Sequence, residues 1–175
     1  TSTPGLAWML ATVGHFGADK FSDYWKTLVK GGAKIASGWT EAYNTDFSAG
    51  EGKGAYPIVV SYASSPSYTV SKDGASTTTA ALLDTAFRQV EYAGVLKGAA
   101  NPAGGQAFIN WMLSKNVQAD IPKKMYMYPV DSSVQLPEAL AKFGPLAEKP
   151  VEVTPAKIAA EREQWLKLWA SAVGK

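Results

Sequence analysis

"PIVVSYASSPSY", residues 57–68, decides how the fold is read. Its first seven residues, with Ile58, Val59 and Val60 in succession, have the β-branched character of a buried strand. Tyr62 closes that strand, and "SSPSYTV" (64–70), with its paired serines, is a loop-to-helix start that carries Tyr68. Outward from it, "AKIAS" (33–37) and "FRQVEYAGVL" (87–96) read as further strands. Helices are predicted between them. Residues 5–17 form one, closed by Gly14 or Gly17. Another covers "DKFSDYWKTLVKGG" (19–32), with Phe21, Tyr24, Trp25, Leu28 and Val29 at helical spacing and Gly31–Gly32 as the stop. A short helix runs from Trp39 to about Phe47. "NPAGGQAFINWMLSKNVQ" (101–118) starts on Asn101 as N-cap with Pro102 at the first helical position. The last helix, 154–175, is capped by Thr154 and lines up Trp165, Trp169 and Val173 on one face. Strands alternating with helices predict an α/β fold, a three-layer lobe around a mixed sheet.

The remaining segments read as connections. "SAGEGKGAY" (48–56) is a glycine-rich turn, "STTTAALLDTAF" (76–87) a polar loop with room for a short helix, and "MYMYPV" (125–130) a short extended aromatic segment. No internal repeat is present.

Composition narrows the function. The 175 residues are 46% apolar, enough for a core, and 17 basic against 15 acidic residues give a net charge of +2 without any basic run. The electrostatic footprint of a nucleic-acid binder is missing. No apolar stretch reaches the length of a membrane span. There is no cysteine, which excludes disulfides, thiolate metal sites and cysteine nucleophiles. With His15 the single histidine, a multi-histidine metal site has no ligands to draw on. His15 itself reads as a side chain at a helix C-terminus. Glu41 and Asp46 have no evident acid–base partner, and neither a nucleophile elbow nor a phosphate-binding Walker loop occurs.

In α/β folds the loops leaving the strand ends make the ligand site. Three carry suitable chemistry: "TSTPG" (1–5), "SGWTEAY" (37–43) and "SYASSPSY" (61–68), with "MYMYPV" as a fourth. "TSTPG" has two readings. It is a helix N-cap with spare hydroxyls, or it is an anion cradle built from Ser2, Thr3 and the N–H groups of a helix N-terminus. Trp39 lies in a segment with few apolar neighbours, so core packing and ligand contact both remain open. Tyr62 and Tyr68 are packing residues or the aromatic rim of a crevice. Tyr126 and Tyr128 alternate with Met125 and Met127, which places the two tyrosines on one face of an extended chain. Such faces suit a flat or cationic ring.

Taken in order, "TSTPGLAWML", "SGWTEAY", "VVSYASSPSY", "QVEYAG", "MYMYPV" and "TPAKIAAEREQWLKLW" resemble one family: the thiamine-binding proteins of bacterial ABC importers, a cluster of the type 2 periplasmic binding proteins. The resemblance runs from Thr1 to the C-terminus, and its specificity lies in the ordered set.

It implies a two-lobed solute-binding protein that closes over thiamine or its phosphate esters in an interlobe cleft and delivers the ligand to membrane permease subunits without covalent chemistry. It implies a periplasmic or otherwise extracytoplasmic location, with or without a lipid anchor, and no cofactor. Ser2, Thr3 and Gly5 would then form the phosphate-end loop. Trp39 and Tyr62 would add contacts there through indole N–H and phenol O–H, while Tyr68 and Tyr126 would lie against the pyrimidine and thiazolium rings.

Where the family commonly carries Trp, this chain has Tyr126, a smaller stacking face. The segment "NTDFSAGEGKGAY" (44–56) is also longer than the family norm. Members carry a first lobe and an opening strand ahead of the "TSTPG" motif, so residues 1–175 are expected to be the C-terminal part, mostly second lobe. The alternative ligand classes on such a fold are ferric iron, held by tyrosine phenolates at positions 62, 68, 126 and 128, and a polyamine, for which the loops offer only Glu41. Related enzymes that degrade thiamine or make its precursors resemble one another in using a cysteine nucleophile, which this chain lacks.

Overall fold

The computed structural model describes residues 2–175; Thr1 lies outside the described residues. The chain packs as two compact units. The first comprises residues up to 63 with 82–89 and 147–175, and the second comprises 64–81 with 90–146.

Three helices build the first unit: α1 (Thr3–Phe16), α2 (Phe21–Lys30) and α6 (Pro155–Val173). Each terminus has a local cause. The Ser2 hydroxyl oxygen accepts from the Gly5 N–H, and Pro4 stands where its missing donor is harmless. Gly17, at φ +86°, ends α1 with its N–H on the Val13 carbonyl. Thr154 caps α6 through Lys157 N–H, and Gly174 closes it in left-handed backbone.

Apolar faces of the three helices meet in one cluster: Met9, Leu10 and Val13 from α1, Phe21 and Trp25 from α2, Trp165 and Val173 from α6. Trp165, predicted to face inward, is 1% exposed. The Trp25 indole N–H donates to the Thr12 hydroxyl at 2.9 Å, and Thr12 in turn donates to the Met9 carbonyl at 2.7 Å, so this buried polar pair is satisfied. Gly14 admits a close approach, because a Cβ there would meet Val151 Cγ1 at 2.6 Å.

The second unit contains α3 (Pro102–Met112), α4 (Lys115–Lys124), α5 (Glu138–Phe143) and a 3₁₀ turn, Ser65–Tyr68. Asn101 caps α3 through Gly104 N–H. The single helix predicted over 101–118 is two: α3 ends at Met112 with Leu113 as its cap, and Ser114 precedes α4. Gln118 is buried and joins three segments, donating to the Met112 carbonyl and accepting from Val130 N–H. α4 continues through Pro122 to Lys124, into residues that no apolar periodicity had marked.

The mixed sheet and the three-layer lobe are not found. Among the described residues the β-pairing consists of isolated bridges at Phe47–Tyr56, Val70–Thr77 and Phe87–Val151. Residues 57–62 and 88–96 form no ladder, and 33–36 lack one too. Nor is "PIVVSYA" buried: Ile58 is 74% exposed, and in the other predicted strand Tyr92 is 91% exposed. A β-branched run favours extended backbone, but a strand also needs a neighbour for its N–H and C=O groups and a layer over its apolar face. Among the described residues neither segment joins a ladder, and Ile58 and Tyr92 stay open to solvent.

Candidate functional site

The predicted site residues fall into two groups, one in each unit. In the first unit, Ser2, Thr3 and Gly5 sit where expected, at the N-terminus of α1. The first turn of a helix offers up to four free donors. Here Pro4 has none, Gly5 N–H is used by the Ser2 side chain at 3.2 Å, and Leu6 N–H by the Ser2 carbonyl at 3.0 Å. What remains for an anion is the Thr3 N–H and the two hydroxyl hydrogens. A side chain at position 5 would crowd the cap, since its Cβ would lie 3.1 Å from Ser2 Oγ.

Trp39 and Tyr62 come together. Their ring centroids are 5.9 Å apart, and Trp39 also stacks on Tyr43 at 4.9 Å with ring planes 15° apart. The Trp39 indole N–H donates to the Ser61 hydroxyl at 2.9 Å. The donor assigned to an anion is thus already engaged, whereas the Tyr62 hydroxyl has no partner among the described residues and its ring is exposed.

A polar clasp supports this stack. Lys34 Nζ bridges Glu41 at 2.8 Å and Asp46 at 2.8 Å, and the other Glu41 oxygen accepts from the Ser37 N–H and hydroxyl. Lys34 and then Ser37 hold the Glu41 carboxyl down at about 2, and the two carboxylates raise the Lys34 ammonium. Between these anchors, residues 41–46 form a π-helical turn. The glycines of 48–56 lie directly on it: a Cβ at Gly50 or Gly54 would strike the carbonyl of Tyr43 or Asp46. The glycine-rich stretch is therefore a ribbon laid against the turn that carries Tyr43, on which Trp39 stacks. The sequence gives Glu41 and Asp46 no evident partner because Lys34 precedes them by 7 and 12 residues and lies outside their turn, in a segment without regular structure, so only packing brings the three together.

In the second unit, Tyr68 and Tyr126 meet edge-to-face with centroids 4.8 Å apart. Tyr68 ends the 3₁₀ turn and donates its phenol to the Pro122 carbonyl at 3.1 Å, one of the carbonyls left open at the end of α4. Tyr126 follows the Met125 cap of α4 with φ +59°, in left-handed backbone. Glycine ordinarily takes this position, and a bulky residue there stores on the order of 1–2 kcal/mol. The Tyr126 ring is 59% exposed.

Tyr126 and Tyr128 were expected to share one face of an extended chain. The left-handed residue breaks that alternation. Tyr128 is largely enclosed instead, donating to the Gly144 carbonyl at 2.6 Å, and burial pushes its phenol up to about 12. His15 lies in the last turn of α1, edge-on to Phe16, and the cap itself is made by Gly17.

Chemically, the first group offers hydroxyl and N–H donors with an aromatic stack, and the second an open aromatic corner. Among the described residues no group of three His, Asp or Glu converges to hold a metal ion. No helix of the described residues is long and apolar enough to cross a membrane.

No family model matches the chain, and no solved structure matches it. Curated relatives do. The thiamine-binding periplasmic protein of Escherichia coli K12 is 34% identical over 176 residues, covering all of this chain and 51% of the relative. Proteins of the same name from Salmonella typhimurium and Brucella melitensis are 32% and 31% identical, again over the whole chain and 51% of the relative. The chain spans about half the length of the curated relatives it matches. From its first residue to its last, it is similar to one half of a thiamine-binding periplasmic protein.

Proposed function

We propose that this chain contributes to binding thiamine or its phosphate esters, as part of the substrate-binding component of an ABC importer working in the periplasm with permease subunits in the membrane. The observation that carries the reading is similarity along the entire chain, at 31–34% identity, to proteins that bear the name thiamine-binding periplasmic protein. Local chemistry is in keeping with it. In the first unit, Ser2, Thr3 and Gly5, with Tyr62 and the supporting Trp39 stack, offer donors suited to a phosphate group. In the second unit, Tyr68 and Tyr126 offer faces suited to a cationic ring such as thiazolium. No covalent step is required, and no cofactor takes part.

The iron alternative is disfavoured at two of its four tyrosines. An iron ligand must be a phenolate, yet burial pushes both Tyr68 and Tyr128 away from ionisation, and both hydroxyls already donate to carbonyls. For a polyamine, Glu41 is occupied by Lys34 and Ser37.

The test is a titration of the chain with thiamine, thiamine monophosphate and thiamine diphosphate, by calorimetry and tryptophan fluorescence. Saturable binding that tightens with phosphate is expected. No saturable heat or quench with any of the three refutes the reading.

A further inference from the structure

Tyr126 is one of two non-glycine residues with positive φ among those described. The other, Lys53, lies in the glycine-rich ribbon. Tyr126 instead holds the position after a helix cap where glycine removes the steric cost, so something must hold it there. The structure shows one polar grip on its backbone. Ser64 is 3% exposed, and its hydroxyl donates to the Tyr126 carbonyl at 3.0 Å across 62 residues of sequence.

Ser64 is itself fixed. Its carbonyl accepts from both the N–H and the hydroxyl of Ser67, at 3.0 and 2.7 Å, within the turn that ends at Tyr68. One turn therefore grips the end of α4 at two carbonyls, Pro122 through Tyr68 and Tyr126 through Ser64. The same grip sets the ring of Tyr126 edge-to-face with that of Tyr68 while leaving it largely open to solvent.

We propose that Ser64 is a positioning residue: by clamping the Tyr126 carbonyl it keeps that residue in left-handed backbone and presents its ring, already oriented, to a flat cationic ligand, an inference that rests on the thiamine reading for the ligand's identity. A glycine at 126 would satisfy the backbone without help, and an extended tyrosine would lose the corner with Tyr68. The tyrosine and the buried serine work only as a pair.

The experiment uses the 175-residue chain with Ser64→Ala, Ser64→Cys, Tyr126→Gly and the double variant Ser64→Ala/Tyr126→Gly, each checked for folding by circular dichroism. NMR cross-peaks between the Tyr68 and Tyr126 rings are read first, without ligand. They are expected to vanish in Ser64→Ala while the rest of the spectrum is retained; their persistence overturns the proposal.

Thiamine is then titrated. Ser64→Ala should weaken binding about fivefold, the weight of one hydrogen bond, and should cause no further loss in the Tyr126→Gly background. Equal loss in both backgrounds overturns the proposal, since Ser64 would then act elsewhere. Ser64→Cys, which keeps the size and weakens the donor, decides the matter if the alanine variant does not fold. Collapse of both makes Ser64 a folding residue and likewise overturns it. If the unaltered chain does not bind thiamine, the thiamine reading fails, while the ring cross-peaks still decide the role of Ser64.

Discussion

Replacing Tyr126 tests the backbone reading apart from any ligand. At an ordinary helical position Ala is more stable than Gly by about 1 kcal/mol. Position 126 should invert that order, because its φ is +59°. A Cβ in left-handed backbone costs about 1–2 kcal/mol, whereas Gly gives back about 0.5–1 kcal/mol through its freer unfolded chain. The difference leaves Tyr126→Gly more stable than Tyr126→Ala by about 0.5–1 kcal/mol.

Both variants lack the ring, so the edge-to-face contact with Tyr68, of about 0.5–1.5 kcal/mol, cancels between them. For a chain of this size the gap corresponds to a melting difference of about 1–4 °C. Urea and thermal unfolding, followed by far-ultraviolet circular dichroism, would measure it. Alanine equal to or more stable than glycine refutes the claim that residue 126 carries backbone strain.

Three further outcomes are expected. Thr12→Val keeps the shape of the α1 core but removes the acceptor of the Trp25 indole, and should cost about 1–3 kcal/mol in urea unfolding. The Glu41 carboxyl is lowered from 4.5 to about 2 on folding, so its contribution to stability is complete above pH 4.5 and is lost as pH falls towards 2. Glu41→Gln should flatten that part of the acid-unfolding profile, and an unchanged profile argues against the Lys34 clasp. Finally, in calorimetric titrations with thiamine monophosphate, Trp39→Ala and Tyr126→Ala should each weaken binding while His15→Ala does not; equal loss in all three counts against the assigned residues.

Legibility in the sequence followed the range of the interaction. The caps Ser2, Asn101 and Thr154 were readable because each hydroxyl or amide meets an N–H only three residues ahead. The inward face of α6 was readable because Trp165, Trp169 and Val173 repeat at the helical period. That face and those caps depend on local geometry alone, which any short stretch of chain carries with it.

What needed the tertiary structure was partnership over distance. "PIVVSYA" and "FRQVEYAGVL" announce extended backbone, but a sheet exists only where other segments supply hydrogen bonds and cover, and those partners cannot be read from the strand itself. Tyr126 could be picked out as an aromatic, yet "MYMYPV" gives no sign of left-handed backbone. That is set by where α4 stops and by Ser64, 62 residues earlier. Trp39 could be marked as unusual, while the engagement of its N–H by Ser61 and the Lys34 clasp beside it arise only on packing. The sequence by itself determined the helices α1, α2, α3 and α6, the caps at Asn101 and Thr154, and which side chains carry ring and hydroxyl chemistry, but not α5 or the course of α4. Only the tertiary structure decided which of those groups are already paired and which remain open, because pairing is a property of two distant segments brought within a few ångströms.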